Sequence, residues 1–504
     1  MANDPRRDPT EDVLAALEAD MAAEAGARFA DVVADYFAET RSAVGPVSTT
    51  LTPAELAVRF AEPLPRGGRP LAEVVERVRR EIVRDANRLY HPMYIGHQVS
   101  APLPAAVWTE GVTAALNQSI AVWEMSPTLT VLEAQVIRWC CDLVGFGAAA
   151  GGTLTSGGTE ATFTALLAAR AAALPDAWRD GVGADPPVIV CGEHAHYAVA
   201  RAAGELGLGM RSVVLVPSDG YRMSVPRLAG LLDELHAAGR RVMAVVATAG
   251  YTATGAFDDI DAIGRLCEAR GLWLHVDGAH GASALLSARH AWRVRGIERA
   301  RSVAWDPHKM MLLPLAAGMV LVRDEADLAA AFSQQAPYLF HAAAGGRSWD
   351  SGPRSFLCSR RGDVLKLWVA LQRYGADGIG LLYDRLCDVA RAAYDALRAH
   401  ADFEPLHEPE GNILCFRYRP HPAPGDAQLD WLNQELRERY NRSGLGWITA
   451  TVLDGRRVLR ITVMNPRTSP AQVHALLDGL AALGDELRRE LDAAPSAASS
   501  ATLS

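Results

Sequence analysis

Six short runs of almost unbroken apolar residues, spread through the middle of a 504-residue chain, most constrain its fold. They are VIVCGE (188–193), SVVLVP (212–217), VMAVVAT (242–248), LWLHVDG (272–278), SVAWD (302–306) and AGMVLVR (317–323). A strand with one face in water alternates apolar and polar residues, whereas a strand covered on both faces need not. Runs without alternation therefore read as strands of a sheet buried on both sides. Between the middle runs lie VPRLAGLLDELHAAG and DIDAIGRLCEARG, which read as helices. Alternating strands and helices predict an α/β layer around a mostly parallel sheet. Ligands of such sheets bind outside the carboxyl ends of the strands.

The flanking segments read differently. LAALEADMAAEAGARFADVVADYF, near the start, spaces its apolar residues three and four apart, so residues 1–88 are expected to form a helical arm. The large α/β domain is expected over 89–375. A smaller α+β domain over 376–490 would hold the strands NILCFRY and RRVLRITVM. The Ala/Ser-rich residues 491–504 are expected to be a disordered tail.

Charge and composition exclude several functions. The net charge of −9 disfavours nucleic acid as the main partner. No uncharged apolar stretch is long enough to predict a membrane span. Met1–Glu24 carries many acids and no apolar centre, so it does not read as a signal peptide. Seven cysteines without a C-x-x-C pair read as buried thiols of a cytoplasmic protein, and no metal is expected. Only two of the 50 basic residues are lysines, Lys309 and Lys366. An arginine stays charged, while a lysine amine can lose a proton and form an imine.

Three candidate sites lie at or just after the ends of predicted strands, and a fourth opens a predicted helix. Thr155–Glu160 (TSGGTE) opens a strong helix, and glycine and hydroxyl residues there offer free N–H groups to a phosphate. Taken alone, a glycine-rich turn with an N-cap explains the same residues. Asp277 ends its strand, as either an N-cap or a partner for a cofactor cation such as a pyridinium nitrogen. Lys309 follows SVAWDPH at the rim of the sheet, where burial would free its amine as a nucleophile. Lys366, in DVLKLWVALQ, reads as a stem lying along a helix. His196 offers an imidazole plane for a flat aromatic ring. An anion cradle, an acid, an imidazole and an imine-forming amine at one sheet edge are the parts a pyridoxal phosphate site needs.

Longer motifs carry a family resemblance. HPMYIGHQVSAPLP (91–104), NQSIAVWEMSP (117–127), TLTSGGTEATFTALLAAR (153–170), WLHVDGAHG (273–281), SVAWDPHKMM (302–311) and VLRITVMNP (458–466) resemble the group II pyridoxal-phosphate-dependent amino-acid decarboxylases. The resemblance implies the fold type I architecture of aspartate aminotransferase, with a mostly parallel seven-stranded sheet and a smaller C-terminal α+β domain. It implies decarboxylation of an L-amino acid to the amine and CO₂ by a homodimer with interfacial sites. In that reading Lys309 carries the cofactor as an imine that gives way to a quinonoid intermediate. Asp277 faces the pyridine nitrogen, and Gly158, Thr159 and His308 hold the phosphate. His196 and Ala279 cover the two ring faces, and Thr248 lies at the ring edge. Arg460 binds the substrate carboxylate, while Gln98, Ser119 and Ala121 lie where relatives recognise the side chain. Leu357–Arg360 is expected to reach the partner's phosphate site.

One departure stands out. Many relatives carry a tyrosine on a mobile loop that takes part in protonating Cα. Here the corresponding stretch is 337–355, with Gly345 or Gly346 in the tyrosine's place and Tyr338 and His341 earlier in the loop. That change implies an alternative outcome, decarboxylation with oxidative deamination to an aldehyde.

Overall fold

The computed structural model describes residues 9–332 and 349–493. The tail beyond Ala493 lies outside them, as do Tyr338, His341, Gly345 and Gly346 of the expected loop. The chain divides into two compact units that are not consecutive stretches. One draws on Met1–Gly96, Ala423–Leu459 and Arg467–Ser504, the other on His97–Pro422 and Arg460–Pro466.

The second unit is organised by one seven-stranded sheet. Its strands are β1 (Gly151–Thr155), β2 (Val188–Gly192), β3 (Val213–Val216), β4 (Val242–Thr248), β5 (Trp273–Asp277), β6 (Ser302–Trp305) and β7 (Gly318–Val322). They lie in the order β1-β7-β6-β5-β4-β2-β3. All neighbours are parallel except that β7 runs against both β6 and β1. Every residue of β2, β5, β6 and β7 is buried, which is why these runs lack alternation. β3, at the sheet edge, is the exception, with Leu215 exposed. β1 went unread in the sequence because it is glycine-rich. A Cβ on Gly152 would collide with the carbonyl oxygen of Val320 on β7, so the close approach of the strands requires glycine there.

Helices cover the sheet. Helix Gly158–Ala173 buries Leu166, Leu167, Ala168 and Ala169 in a cluster with Ile189 and Cys191 of β2 and Ala244 and Val246 of β4. Helix Ile260–Arg270 is capped by Asp259, whose side chain accepts from Ala262 N at 3.0 Å. It stops at Gly271, where φ is +63°, a left-handed conformation that favours glycine. The long element Val364–Ala399 is two helices joined at Gly375, where φ is +71°. Strand Phe403–Pro405 pairs antiparallel with Ile413–Tyr418.

The other unit contains the expected helical arm, with helices Ala23–Arg41 and Pro53–Arg59. Thr52 and Glu55 close a capping box at the start of the second. Helices Asp426–Arg442 and Pro470–Ala493 and strand Thr449–Leu453 complete it. Among the described residues no helix is long and apolar enough to cross a membrane. All seven cysteines are free thiols; six are buried as expected, but Cys358 is exposed.

Candidate active site

The four candidate sites meet in one place. β1 ends at Thr155 and leads through Ser156 and Gly157 into helix Gly158–Ala173. β4 ends at Thr248 and β5 at Asp277, and these two residues are partners across the ladder. β6 ends at Trp305 and is followed by Asp306, Pro307, His308 and Lys309. Around these ends lies a cavity of about 330 Å³. Gly158, Thr159, His196 and Thr248 line it, and so do Asp277, Ala279, His308 and Lys309. All eight residues expected at a cofactor are therefore brought together.

Their local geometry fixes their chemical states. Asp277 is buried, and its Oδ1 accepts from Ala279 N at 3.2 Å. Thr248 N donates to Asp258 Oδ2 at 2.7 Å, and Met223 N to Asp258 Oδ1 at 2.7 Å. Asp258 thus ties the end of β4 to a neighbouring turn. Its burial pushes the carboxyl up to about 6, against the pull of the N–H donors. Burial lowers His196 below the usual imidazole range, more than the charge of Asp277 raises it. Its ring is therefore neutral at pH 7. His308 is lowered by burial as well. Its Nδ1 accepts from Ala317 N at 3.0 Å, so in the neutral ring the proton sits on Nε2. Lys309 Nζ lies 3.0 Å from Asp306 Oδ2.

The helix start is shaped to receive an anion. A Cβ on Gly158 would lie 2.8 Å from Ala279 Cβ and 3.0 Å from Asp306 Oδ2, and one on Gly157 would lie 3.2 Å from His308 Cε1. Glycine at both positions keeps the cradle open and leaves the first-turn N–H groups accessible.

Comparison with known proteins agrees with this geometry. The pyridoxal-dependent decarboxylase conserved domain matches residues 53–419. The chain belongs to the pyridoxal-dependent decarboxylase family. It is a pyridoxal-phosphate-dependent carboxy-lyase of amino-acid metabolism. An L-2,4-diaminobutyrate decarboxylase of Rhizobium meliloti (strain 1021) is 33% identical over 84% of this chain and 84% of its own length. A cysteine sulfinic acid decarboxylase of Rattus norvegicus is 31% identical over 86% of this chain and 90% of its own. A solved structure, the glutamate decarboxylase domain of a diaminobutyrate-pyruvate transaminase and L-2,4-diaminobutyrate decarboxylase from Vibrio parahaemolyticus, superposes with a TM-score of 0.80. It is 30% identical and covers 91% of this chain and 95% of that one.

The cavity of this decarboxylase fits the cofactor. An open glycine cradle, a strand-end carboxylate and a reachable amine line one space. The residues expected to bind substrate are placed differently. Arg460 is buried and its guanidinium is lowered by that burial; its charge and that of Lys309 both reach His280, a wall residue of the cavity. Gln98, Ser119, Ala121 and Arg460 do not themselves line the cavity. Ser119 pairs with Arg361 in an isolated bridge, and Ala121 O accepts from Gly352 N at 2.8 Å.

Within the segment Leu357–Arg360, Leu357 and Cys358 are exposed, while Arg360 is buried and its guanidinium meets both oxygens of Glu133 at 2.8 and 2.6 Å. Lys366 lies in helix Val364–Ala399, as expected, and its amine is held by two carboxylates. It is 1% exposed, with Nζ 2.8 Å from Glu110 Oε1 and 3.1 Å from Asp363 Oδ1. Lys309, by contrast, faces the cavity.

Sequence reasoning missed Asp306 and His280, although both stand inside quoted motifs. Asp306 follows a buried strand just as Asp277 ends one, and that signal was available. Asn412 Nδ2 donates to Val463 O at 2.8 Å, leaving its Oδ1 to accept from His280 Nε2 at 2.7 Å. Nothing in the pattern reveals that contact, because it joins residues 132 positions apart.

Proposed function

We propose that this chain removes the α-carboxylate of an L-amino acid as CO₂ and releases the amine at the carboxyl edge of the seven-stranded sheet. The convergence of Lys309, Asp277 and the Gly158–Thr159 helix start on one cavity carries the reading. Pyridoxal phosphate bound there supplies an electron sink for the pair left when the bond from Cα to the carboxylate breaks. Lys309, whose amine lines the cavity, is the residue that would hold the cofactor through an imine. Asp277 keeps a proton on the pyridine nitrogen. First-turn N–H groups at Gly158 and Thr159 and the Nε2–H of His308 hold the phosphate. His196, neutral through burial, covers one ring face and Ala279 the other, with Thr248 at the edge.

Arg460, whose charge reaches the cavity wall at His280, would pair with the substrate α-carboxylate and orient it. Gln98, Ser119 and Ala121 recognise the substrate side chain. The homodimer with interfacial sites rests on the family resemblance. The likeness to a diaminobutyrate decarboxylase, and the lack of a second arginine among the recognition segments, favour a substrate without a side-chain carboxylate.

An amino-acid panel tests the reading, with CO₂, amine and peroxide measured together. It should include 2,4-diaminobutyrate, glutamate, cysteine sulfinate and aromatic amino acids. Amine equal to CO₂ without peroxide is expected for at least one substrate. Peroxide matching CO₂ would replace simple decarboxylation by oxidative deamination, and no CO₂ from any member would reject the proposal.

A further inference from the structure

The site holds a second carboxylate with no part in the scheme above. Asp306 is 1% exposed, placed between the end of β6 and Lys309. Its backbone is fixed at both ends: Asp306 N donates to Ala279 O at 3.1 Å, and Lys309 N donates to Asp306 O at 2.9 Å. That turn aims the carboxylate at the amine three residues on, with Oδ2 3.0 Å from Lys309 Nζ and 3.5 Å from His308 Nε2. Oδ1 is buried and has no hydrogen-bond partner. A buried carboxylate served on one oxygen only is costly unless a cation stands beside it. Lys309 is the nearest cation.

The other charged and titratable groups around the pair do not replace it. His308 is held by Ala317 N and lowered by burial. Asp277 stands across the cavity, beside His196, which burial also lowers. On a further side, burial pushes His280 down to about 3, with the charges of Lys309 and Arg460 adding to the fall. All three imidazoles are therefore neutral at pH 7, which leaves the Lys309 ammonium as the charge that answers Asp306.

We propose that Asp306 is a positioning residue that holds the Lys309 amine, aimed and protonated, before the cofactor arrives. The inference rests on Lys309 being the cofactor amine, yet its test needs no cofactor.

The chain has only two lysines, and Lys366 is buried. The cofactor-free protein is treated with trinitrobenzenesulfonate from pH 7 to pH 11, and labelling at each lysine is read by peptide mass spectrometry. Asp306→Asn should label at Lys309 roughly tenfold faster than the wild type near pH 8, with the difference narrowing to about threefold by pH 11. Asp306→Glu should keep the slow profile. A gain in accessibility alone would multiply the rate equally at every pH, and that result overturns the proposal. So does an unchanged Lys309 rate in Asp306→Asn with Lys366 still protected. Asp306→Ser is read in the same way. If neither the Asn nor the Ser variant protects Lys366, Asp306 is a residue of the fold and the proposal fails. Each of these outcomes leaves the proposed function untouched, since that depends on where the cofactor attaches.

Discussion

Replacing His275 by Asn should remove a defined part of the acid sensitivity of this protein. His275 is fully buried in β5, two residues before Asp277, and burial pushes its imidazole down to about 4, with only partial relief from the Asp277 charge. An exposed histidine in the unfolded chain titrates near 6.5. Between those values the unfolded state binds a proton that the folded state refuses. Stability from this group is therefore complete above about pH 6.5, falls as the pH drops, and stops falling near pH 4. Each pH unit in that window costs about 1.4 kcal/mol, so the loss from pH 8 to pH 5 is about 2 kcal/mol. The assay is urea unfolding of the cofactor-free protein at the two pH values, wild type against His275→Asn. The other buried histidines titrate in both proteins and cancel. Whatever the variant loses in packing is the same at both pH values and cancels too. The wild type should lose about 2 kcal/mol more than the variant on going to pH 5. A gap between the two proteins that is the same at pH 8 and pH 5 would refute the reasoning.

Two other substitutions probe the site and its support. Gly158→Ala places a methyl 2.8 Å from Ala279 Cβ and 3.0 Å from Asp306 Oδ2, so the cradle must shift. Its overpacking should cost about 1–3 kcal/mol in a thermal or urea melt, and a titration of the cofactor-free protein should show pyridoxal phosphate binding weakened at least tenfold. Glu133→Gln leaves the Arg360 charge buried without its carboxylate and should cost about 3–5 kcal/mol by urea unfolding. Adding Arg360→Met should recover much of that loss, and a double variant no more stable than the single one would contradict the account.

Burial decided what could be read from the sequence. β2, β5, β6 and β7 were legible because their continuous apolar runs reflect cover on both faces. β1 was not, since Gly151 and Gly152 have no side chains to mark a strand, and Gly152 is needed where β7 comes close. The reversal of β7 left no trace either, because a buried strand shows the same pattern in both directions. Lys309, Asp277 and His196 were legible at strand ends and the Thr155–Glu160 turn as a helix start, whereas Thr248, Ala279 and His308 were named only by the family resemblance. Asp306 stood beside Lys309 in the same motif, but its partner is set by the turn at 306–309 rather than by residue type. The partners of Lys366 were not legible, because a helical pattern shows which face is apolar, not that Glu110, 256 residues away, waits beside it.

The most direct test is borohydride reduction of the cofactor-loaded protein, followed by peptide mapping of the reduced adduct. The account predicts one pyridoxyl group per chain, attached to Nζ of Lys309, with Lys366 unmodified. An adduct on Lys366, or a loaded protein whose absorbance near 420 nm survives in Lys309→Ala, would contradict it.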